Sequence, residues 1–203
     1  MSRDSKATII KAATRLFARK GYAGTSLQAI ADEVGMRNPS LLYHYPSKNA
    51  IRAAVMGDLL DRWKTRLPEV LAAASSGNDR FTALFSEVSD FFLSDPHRCM
   101  LVMREVVDRP EETRESLGQV LGPWLGVLVQ AIKDGQDAGR VRTDVDPEAY
   151  LVQCVVLIIG SVVAADFTGF LYPGQSSKDR LERQLYEVVR TARCALFLPN
   201  YSP

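Results

Sequence analysis

The 203-residue sequence predicts an all-α protein, with an N-terminal three-helix head carrying a helix-turn-helix and a larger helical body behind it. Three observations carry that prediction. Apolar residues recur at helical spacing along the chain, and no alternating strand pattern competes with them. Residues 25–48, T-S-L-Q-A-I-A-D-E-V-G-M-R-N-P-S-L-L-Y-H-Y-P-S-K, hold two short helical segments around a glycine, each with its own start and stop signal. Charge is also uneven: residues 1–50 hold eight Lys or Arg against three Asp or Glu, giving +5 on a chain whose total is +1, so the remainder carries −4. A basic head on an acidic body suits a partner with a phosphate backbone touched by the head alone.

The first helix is expected over residues 4–20, where Ile9, Ile10, Ala13, Leu16 and Phe17 share one face and Gly21 stops the run. Arg3, Lys6, Lys11 and Arg15 fall along its polar side, in reach of solvent or of phosphates. A second helix runs from about Leu27 to Val34, with Thr25 or Ser26 as N-cap, since a short hydroxyl accepts from the free N–H groups of the first turn. Gly35 ends it, because glycine takes the left-handed conformation at a helix C-terminus without steric cost. Asn38 as cap and Pro39 at the first helical position open the third helix, which stops before Pro46. Leu27, Ile30, Ala31 and Val34 form an apolar stripe that Met36, Leu41 and Tyr45 can close over, and the small Ala31 lets the two helices cross closely. Arg37, Asn38, Ser40, Tyr43 and His44 are left outside the stripe, and they are of the kind that read base edges and phosphates.

Ser47 signals another cap, and a connecting helix over about 48–66 carries Ile51, Val55, Leu59 and Trp63 at helical spacing. Leu67-Pro68 is expected to end it, with a short helix closing at 72–78 to follow. Asp79 caps the next, which sets Phe81, Leu84, Phe85, Val88 and Phe92 on one side and ends at Asp95-Pro96. His97 to Val107 presents Met100, Met103 and Val107. Pro110-Glu111-Glu112 opens a further helix with proline and acids in its first turn, and Gly122-Pro123 is expected to split or kink it before it runs on from Trp124 to Ala138. Asp146 caps and Pro147 starts a helix to about Phe167 that is apolar almost all round. Such a helix should be covered on more than one side, by its own core and by a second copy of the chain. The last helix, about 178–198, sets Leu181, Leu185, Val188, Val189, Ala192 and Phe197 among charges, which suits the outer half of a two-helix dimer surface.

Composition narrows the function classes. The 46% hydrophobic and 24% charged content is that of a soluble globular protein. No secretory signal opens the chain, and the longest apolar run, Val155 to Ala165, is short of the roughly 20 residues that cross a bilayer, so a cytoplasmic protein without a membrane partner is expected. Cys99, Cys154 and Cys194 are odd in number and far apart, which reads as three reduced thiols. With two histidines, no Gly-x-Ser-x-Gly elbow, no phosphate-cradling glycine loop and no metal-ligand spacing, neither an enzyme nor a metal or cofactor is expected.

With Leu16-Phe17-Ala18-Arg19-Lys20-Gly21-Tyr22 before it and Tyr45-Pro46-Ser47-Lys48 after it, the helix-turn-helix resembles the N-terminal domain of TetR-type transcriptional regulators. The loop Gly139-Arg140-Val141-Arg142-Thr143-Asp144-Val145-Asp146-Pro147-Glu148 is similar to the stretch that leads into the penultimate helix in that family. The resemblance implies a DNA-binding head over 1–47 and a ligand-binding and dimerisation body over 48–203. It further implies a homodimer, joined through its last two helices, whose heads occupy successive major grooves of a pseudo-palindromic double-stranded operator until a small-molecule effector binds the body. Matched residue by residue, Arg37, Asn38, Pro39, Ser40, Tyr43 and His44 fall on the reading surface, and Thr25, Ser26 and Lys48 on phosphates. The sequence departs from the family at one place. Where a tyrosine usually follows the recognition-helix leucine, this chain has Leu42 and then Tyr43, which leaves Tyr43 either to take over that phosphate contact or to meet a base. On the ligand side, Trp63, Phe81, Phe85, Met100, Met103, Trp124 and Cys154 come from helices that surround a cavity in the family. Arg104 and Glu105 stand there as polar anchors or as a surface salt bridge, and an apolar or aromatic inducer is implied. The alternative is a DNA-bound structural or activator protein of the same fold without an inducer.

Overall fold

A computed structural model describes residues 2–73 and 77–198. Among the described residues run nine α-helices: α1 (Ser2–Lys20), α2 (Leu27–Glu33), α3 (Asn38–His44), α4 (Lys48–Ala73), α5 (Gly77–Ser94), α6 (His97–Asp108), α7 (Pro110–Asp137), α8 (Pro147–Phe167) and α9 (Ser177–Leu196). A 3-10 turn, Thr168–Leu171, follows α8, and one isolated β-bridge pairs Val141 with Phe197. The chain is all-α, as its periodicity requires. Packing divides it into two compact units, Met1–Thr65 with Asp95–Val120, and Arg66–Ser94 with Leu121–Pro203.

In the first unit, α1 packs on α2 and more extensively on α6. Ile9, Ala13 and Phe17 of α1, Ile30 and Ala31 of α2, Leu41 of α3, Ile51 and Val55 of α4, and Cys99 and Leu101 of α6 are all sealed from solvent. Burying such side chains is the main favourable contribution, about 1.5–3 kcal/mol for each large one. Burial also pushes the Cys99 thiol up to about 12, which leaves it protonated and inert. Polar groups tie the same helices together. Arg104 of α6 donates from Nε to the Ala18 carbonyl at 2.8 Å and from Nη2 to that of Arg19 at 3.3 Å, meeting the open carbonyls at the end of α1. Arg52 of α4 donates from Nε to both carboxylate oxygens of Glu105 at 3.0 Å, and from Nη1 to Glu112 at 2.8 Å.

The second unit is built on α8 and α9. Cys154, Ile158, Val162 and Ala165 make the buried stripe of α8, and Leu181, Leu185, Val188, Ala192 and Leu196 that of α9. Ser176 and Asp179 form a reciprocal capping box at the start of α9. Arg180 donates to the Ala165 carbonyl at 2.9 Å, and the Tyr150 hydroxyl to that of Ala192 at 2.9 Å. After α7 the chain folds back tightly. Gln136 donates to the carbonyls of Arg142 at 2.9 Å and Val145 at 2.8 Å, and a Cβ on Gly135 would stand 2.6 Å from Val141 Cγ2.

Several expectations change. Pro68 and Pro123 lie inside α4 and α7 and do not end them. A proline removes one ladder bond, and tertiary packing of the flanking turns outweighs that loss. The short helix expected to close at 72–78 is absent as a separate element, since α4 runs to Ala73, and residues 74–76 lie outside the described set. The apolar stretch around α8 is also longer than its uninterrupted run indicates: Pro147–Ala165, 19 residues of mean hydropathy 2.0, is long and apolar enough to cross a membrane by length and composition. Only 22% of it is buried.

Candidate nucleic-acid interface

The interface is built from α2, the turn after it, and α3. Ser26 caps α2, its Oγ accepting from the Ala29 N–H at 3.0 Å. The turn is closed by Gly35 at φ +66°, where a side chain would be strained, and by the Met36 N–H donating to the Ala31 carbonyl at 2.9 Å. Arg37 holds the cap position of α3, its carbonyl accepting from Ser40 at 2.9 Å and Leu41 at 3.1 Å. Asn38 is therefore the first helical residue and not the cap, one position from the expected start, and Pro39 is the second. The helix ends at His44, with Tyr45 as C-cap before Pro46.

Leu41, fully buried, pins α3 on α2 and fixes which side faces out. Arg37, Pro39 and Ser40 are exposed, and His44 is half-buried. Tyr43 is 87% exposed, with its ring 5.6 Å from that of His44 in an edge arrangement. Leu42 is 39% exposed beside them. This face presents an exposed guanidinium, hydroxyl and phenol beside a half-buried imidazole, the inventory needed for phosphate and base contacts. Asn38 is half-buried, with Oδ1 enclosed and without a hydrogen bond.

Two residues matched to phosphates are used by the head itself. Thr25 is 1% exposed, and its hydroxyl donates to the carbonyls of Gly21 at 2.8 Å and Leu16 at 3.3 Å, so the side chain joins α1 to α2 and is closed to a phosphate. Lys48 donates from Nζ to the carbonyls of Tyr22 and Thr25, both at 2.9 Å, and its ammonium lies 4.2 Å from the Tyr22 ring centroid. Ser26 stays exposed while it caps. On α1, Lys11, Arg19 and Lys20 are exposed, Arg15 pairs with Glu33 at 3.0 Å, and the side chain of Arg3 lies outside the described set.

The ligand-side residues divide between the two units. Trp63, Met100, Met103 and Arg104 belong to the first unit, and Phe81, Phe85, Trp124 and Cys154 to the second. Met103 is 39% exposed, and the guanidinium of Arg104 bonds the carbonyls at the end of α1. Glu105 is neither an anchor nor a surface charge: it is buried against Arg52. In the second unit Phe81 packs on Phe85 with centroids 4.6 Å apart and on Phe197 at 5.6 Å, and burial, opposed by the Tyr150 hydrogen bond, pushes the Cys154 thiol up. Three clefts within single units are lined by other residues: about 340 Å³ beside Tyr22 and Arg109, about 190 Å³ beside Lys11 and Asp58, and about 530 Å³ beside Tyr172 and Tyr186. Sequence reasoning missed the roles of Tyr22, Arg52 and Arg109, which meet across long stretches of chain: Lys48 reaches Tyr22 from 26 positions away, Glu112 reaches Arg52 from 60, and Arg109 lies over the Tyr22 ring.

Residues 9–55 match the family of bacterial regulatory proteins of the tetR type, and residues 77–176 match a tetracyclin repressor-like C-terminal domain. The transcriptional regulator LmrA of Bacillus subtilis is 24% identical over 186 residues, 89% of this chain and 98% of its own length. The transcriptional repressor KstR2 of Mycolicibacterium smegmatis is 27% identical over 147 residues, 68% of this chain and 69% of its own. A transcriptional regulator from Saccharomonospora viridis, solved in complex with choline, shares the fold at a TM-score of 0.69 and 21% identity, covering 97% of this chain and 99% of that one.

Proposed function

Because the chain belongs to the tetR family of bacterial transcriptional regulators, we propose that it acts as a ligand-responsive repressor, binding a pseudo-palindromic operator as a homodimer and released by a small apolar or aromatic molecule. The observation that carries this reading is the outer face of α3, where exposed Arg37, Pro39, Ser40 and Tyr43, with His44 half-buried beside them, stand on a head braced by buried Leu41, Thr25 and Ile30. The DNA contacts come from residues 1–47, and the body from Lys48 onward carries dimerisation and effector binding. Residues 48–65 and 95–120 pack with the head in one unit.

The dimer surface is the outward stripe of α8. Val152, Val155, Val156, Val163 and Phe167 are 64%, 45%, 54%, 40% and 79% exposed on the side opposite the buried stripe, and Tyr186 of α9 adds 69% exposure. An apolar surface of that extent is covered in solution, and a second copy supplies the same surface in return. A lipid bilayer fits it poorly. The α9 helix packs along α8 and carries exposed Glu182, Arg183, Glu187 and Arg190, which a membrane would have to bury at high cost. This favours a cytoplasmic regulator. The aromatic cluster Phe81, Phe85 and Phe197 of the second unit supports an apolar or aromatic effector. Binding of that effector to a body conformation with weaker operator affinity lowers DNA binding by the same factor that DNA lowers effector binding.

The test is a titration of the full chain against DNA from its own promoter region and against random DNA, across a salt series. A preference of about a thousandfold or more with a steep salt slope supports the operator reading. Tyr43→Ala should weaken the operator complex by about 1–3 kcal/mol without changing the fold. Equal binding to both DNAs refutes it and favours a structural backbone binder.

A further inference from the structure

Tyr22, in the turn between α1 and α2, has two cations against its ring. The Lys48 ammonium is 4.2 Å from its ring centroid and the Arg109 guanidinium 4.6 Å. The Phe17 ring, 5.6 Å away, supports it from α1. Lys48 is the first residue of α4 and lies just beyond the end of α3, so the place of its ammonium bears directly on the recognition helix. That ammonium is held by the ring and by the carbonyls of Tyr22 and Thr25. Arg109 arrives from far along the chain, between α6 and α7, and pairs with Glu112 at 3.2 Å. Glu112 also takes Arg52 at 2.8 Å, one turn beyond Lys48 in α4. The contacts thus form a closed circuit within the first unit: Lys48, Tyr22, Arg109, Glu112, Arg52, and back to α4.

We propose that Tyr22 and Arg109 are positioning residues for the recognition helix. The ring, held by Arg109, fixes where Lys48 stands, and Lys48 fixes the joint between α3 and α4. The proposal rests on the operator-binding reading, and it adds to that reading a residue about sixty positions from the helix-turn-helix that sets its placement without touching DNA. A lysine on its own would not hold that joint, because its flexible stem carries several rotamers that solvent keeps populated. Three fixed acceptors, two carbonyls and a ring face, remove that freedom. Arg109 removes the remaining freedom of the ring. It is half-buried in the junction, so replacing it does not threaten the core.

The experiment compares the full chain with Arg109→Gln, Arg109→Lys, Tyr22→Leu and the Arg109→Gln/Tyr22→Leu pair. Operator and random DNA are titrated across salt, and amide hydrogen exchange of residues 36–48 is followed without DNA. A cation over an exposed aromatic ring is worth about a two- to fivefold change in an equilibrium, so Arg109→Gln should weaken operator binding by that factor. It should leave random-DNA binding and the salt slope as they were, and speed exchange over 36–48. Arg109→Lys keeps a charge over the ring and should recover most of the loss, and the pair should be no worse than Tyr22→Leu alone. Unchanged exchange in Arg109→Gln overturns the proposal, and so do fully additive losses in the pair. An equal loss on random DNA with the salt slope reduced by about one overturns it in favour of a direct phosphate contact. If the unaltered chain shows no operator preference, the repressor reading fails, and the exchange data still decide whether Arg109 holds the joint.

Discussion

Replacing Glu105 by glutamine removes the charge from the most enclosed carboxylate of the first unit. Glu105 is 4% exposed, and it accepts from Arg52 Nε through both oxygens at 3.0 Å and from Nη2 as well. Only 11% of the Arg52 side chain is exposed. Burial works against its charge, but the hydrogen bonds and charges of Glu105 and Glu112 outweigh burial and hold the guanidinium above its ordinary value. Arginine cannot shed its proton to escape. Without Glu105 it keeps a buried charge that faces Glu112 alone, and the Glu112 side chain is 58% exposed. Removing one partner of a buried pair costs about 3–5 kcal/mol. Because glutamine keeps the shape and one acceptor oxygen, and because Glu112 remains, about 2–3 kcal/mol is expected. At about 2–4 °C per kcal/mol for a chain of this length, Tm should fall by about 4–12 °C. Arg52→Met with Glu105→Leu should recover most of that loss, since replacing both charges by apolar groups of similar volume removes the desolvation cost. Scanning calorimetry on the parent, the single and the double variant measures all three. A fall of less than about 2 °C in the single variant, or a double variant as unstable as the single, would refute the buried-pair argument.

Four further outcomes follow from named contacts. Ser26→Ala removes the side-chain bond that Ser26 Oγ accepts from the Ala29 N–H in the first turn of α2 and should cost about 1 kcal/mol, read as a lower Tm and weaker operator binding, whereas Ser26→Asp should be close to neutral. Gly135→Ala places a Cβ at 2.6 Å from Val141 and should destabilise the second unit by about 1–3 kcal/mol in urea unfolding; an unchanged midpoint would show that the loop gives way freely. Val156→Glu, on the 54% exposed outer stripe of α8, should shift the chain from dimer to monomer in sedimentation velocity, and a persistent dimer would place the interface elsewhere. The Arg52 hydrogen bond, ahead of the charges of Arg52 and Arg109, holds the Glu112 carboxyl below its ordinary 4.5, so its stabilisation is complete above that pH and is lost as pH falls through the lower folded value. Glu112→Gln should therefore flatten the fall of Tm below about pH 4.5, and identical acid limbs in parent and variant would contradict it.

The helix-turn-helix was legible because every local signal there agrees with the packing around it. The hydroxyl cap, the left-handed glycine and the proline after Tyr45 each point to the same three elements, and the periodicity places Ile30, Ala31 and Leu41 inside. What stayed illegible depends on contacts distant in sequence. Thr25 and Ser26 are adjacent hydroxyls, and only the carbonyls of Leu16 and Gly21 decide that the first is buried and the second caps. Lys48 reads equally well as a phosphate ligand until Tyr22 is seen beneath it. The prolines are the most instructive case. As local signals Pro68 and Pro123 announce helix ends, yet α4 and α7 run through them, Pro68 being preceded within a turn and a half by buried Trp63 and Leu67. The signal still has a structural counterpart. The chain passes between its two packing units at three places, Thr65 to Arg66, Ser94 to Asp95 and Val120 to Leu121, and each passage is followed within three residues by a proline: Pro68, Pro96 and Pro123. Inside α4 and α7 a proline deletes one hydrogen bond of the ladder, which is too little to end a packed helix. Pro68 and Pro123 therefore fall where the chain passes from one packing unit to the other, a distinction that a reading confined to helix starts and stops has no means to draw.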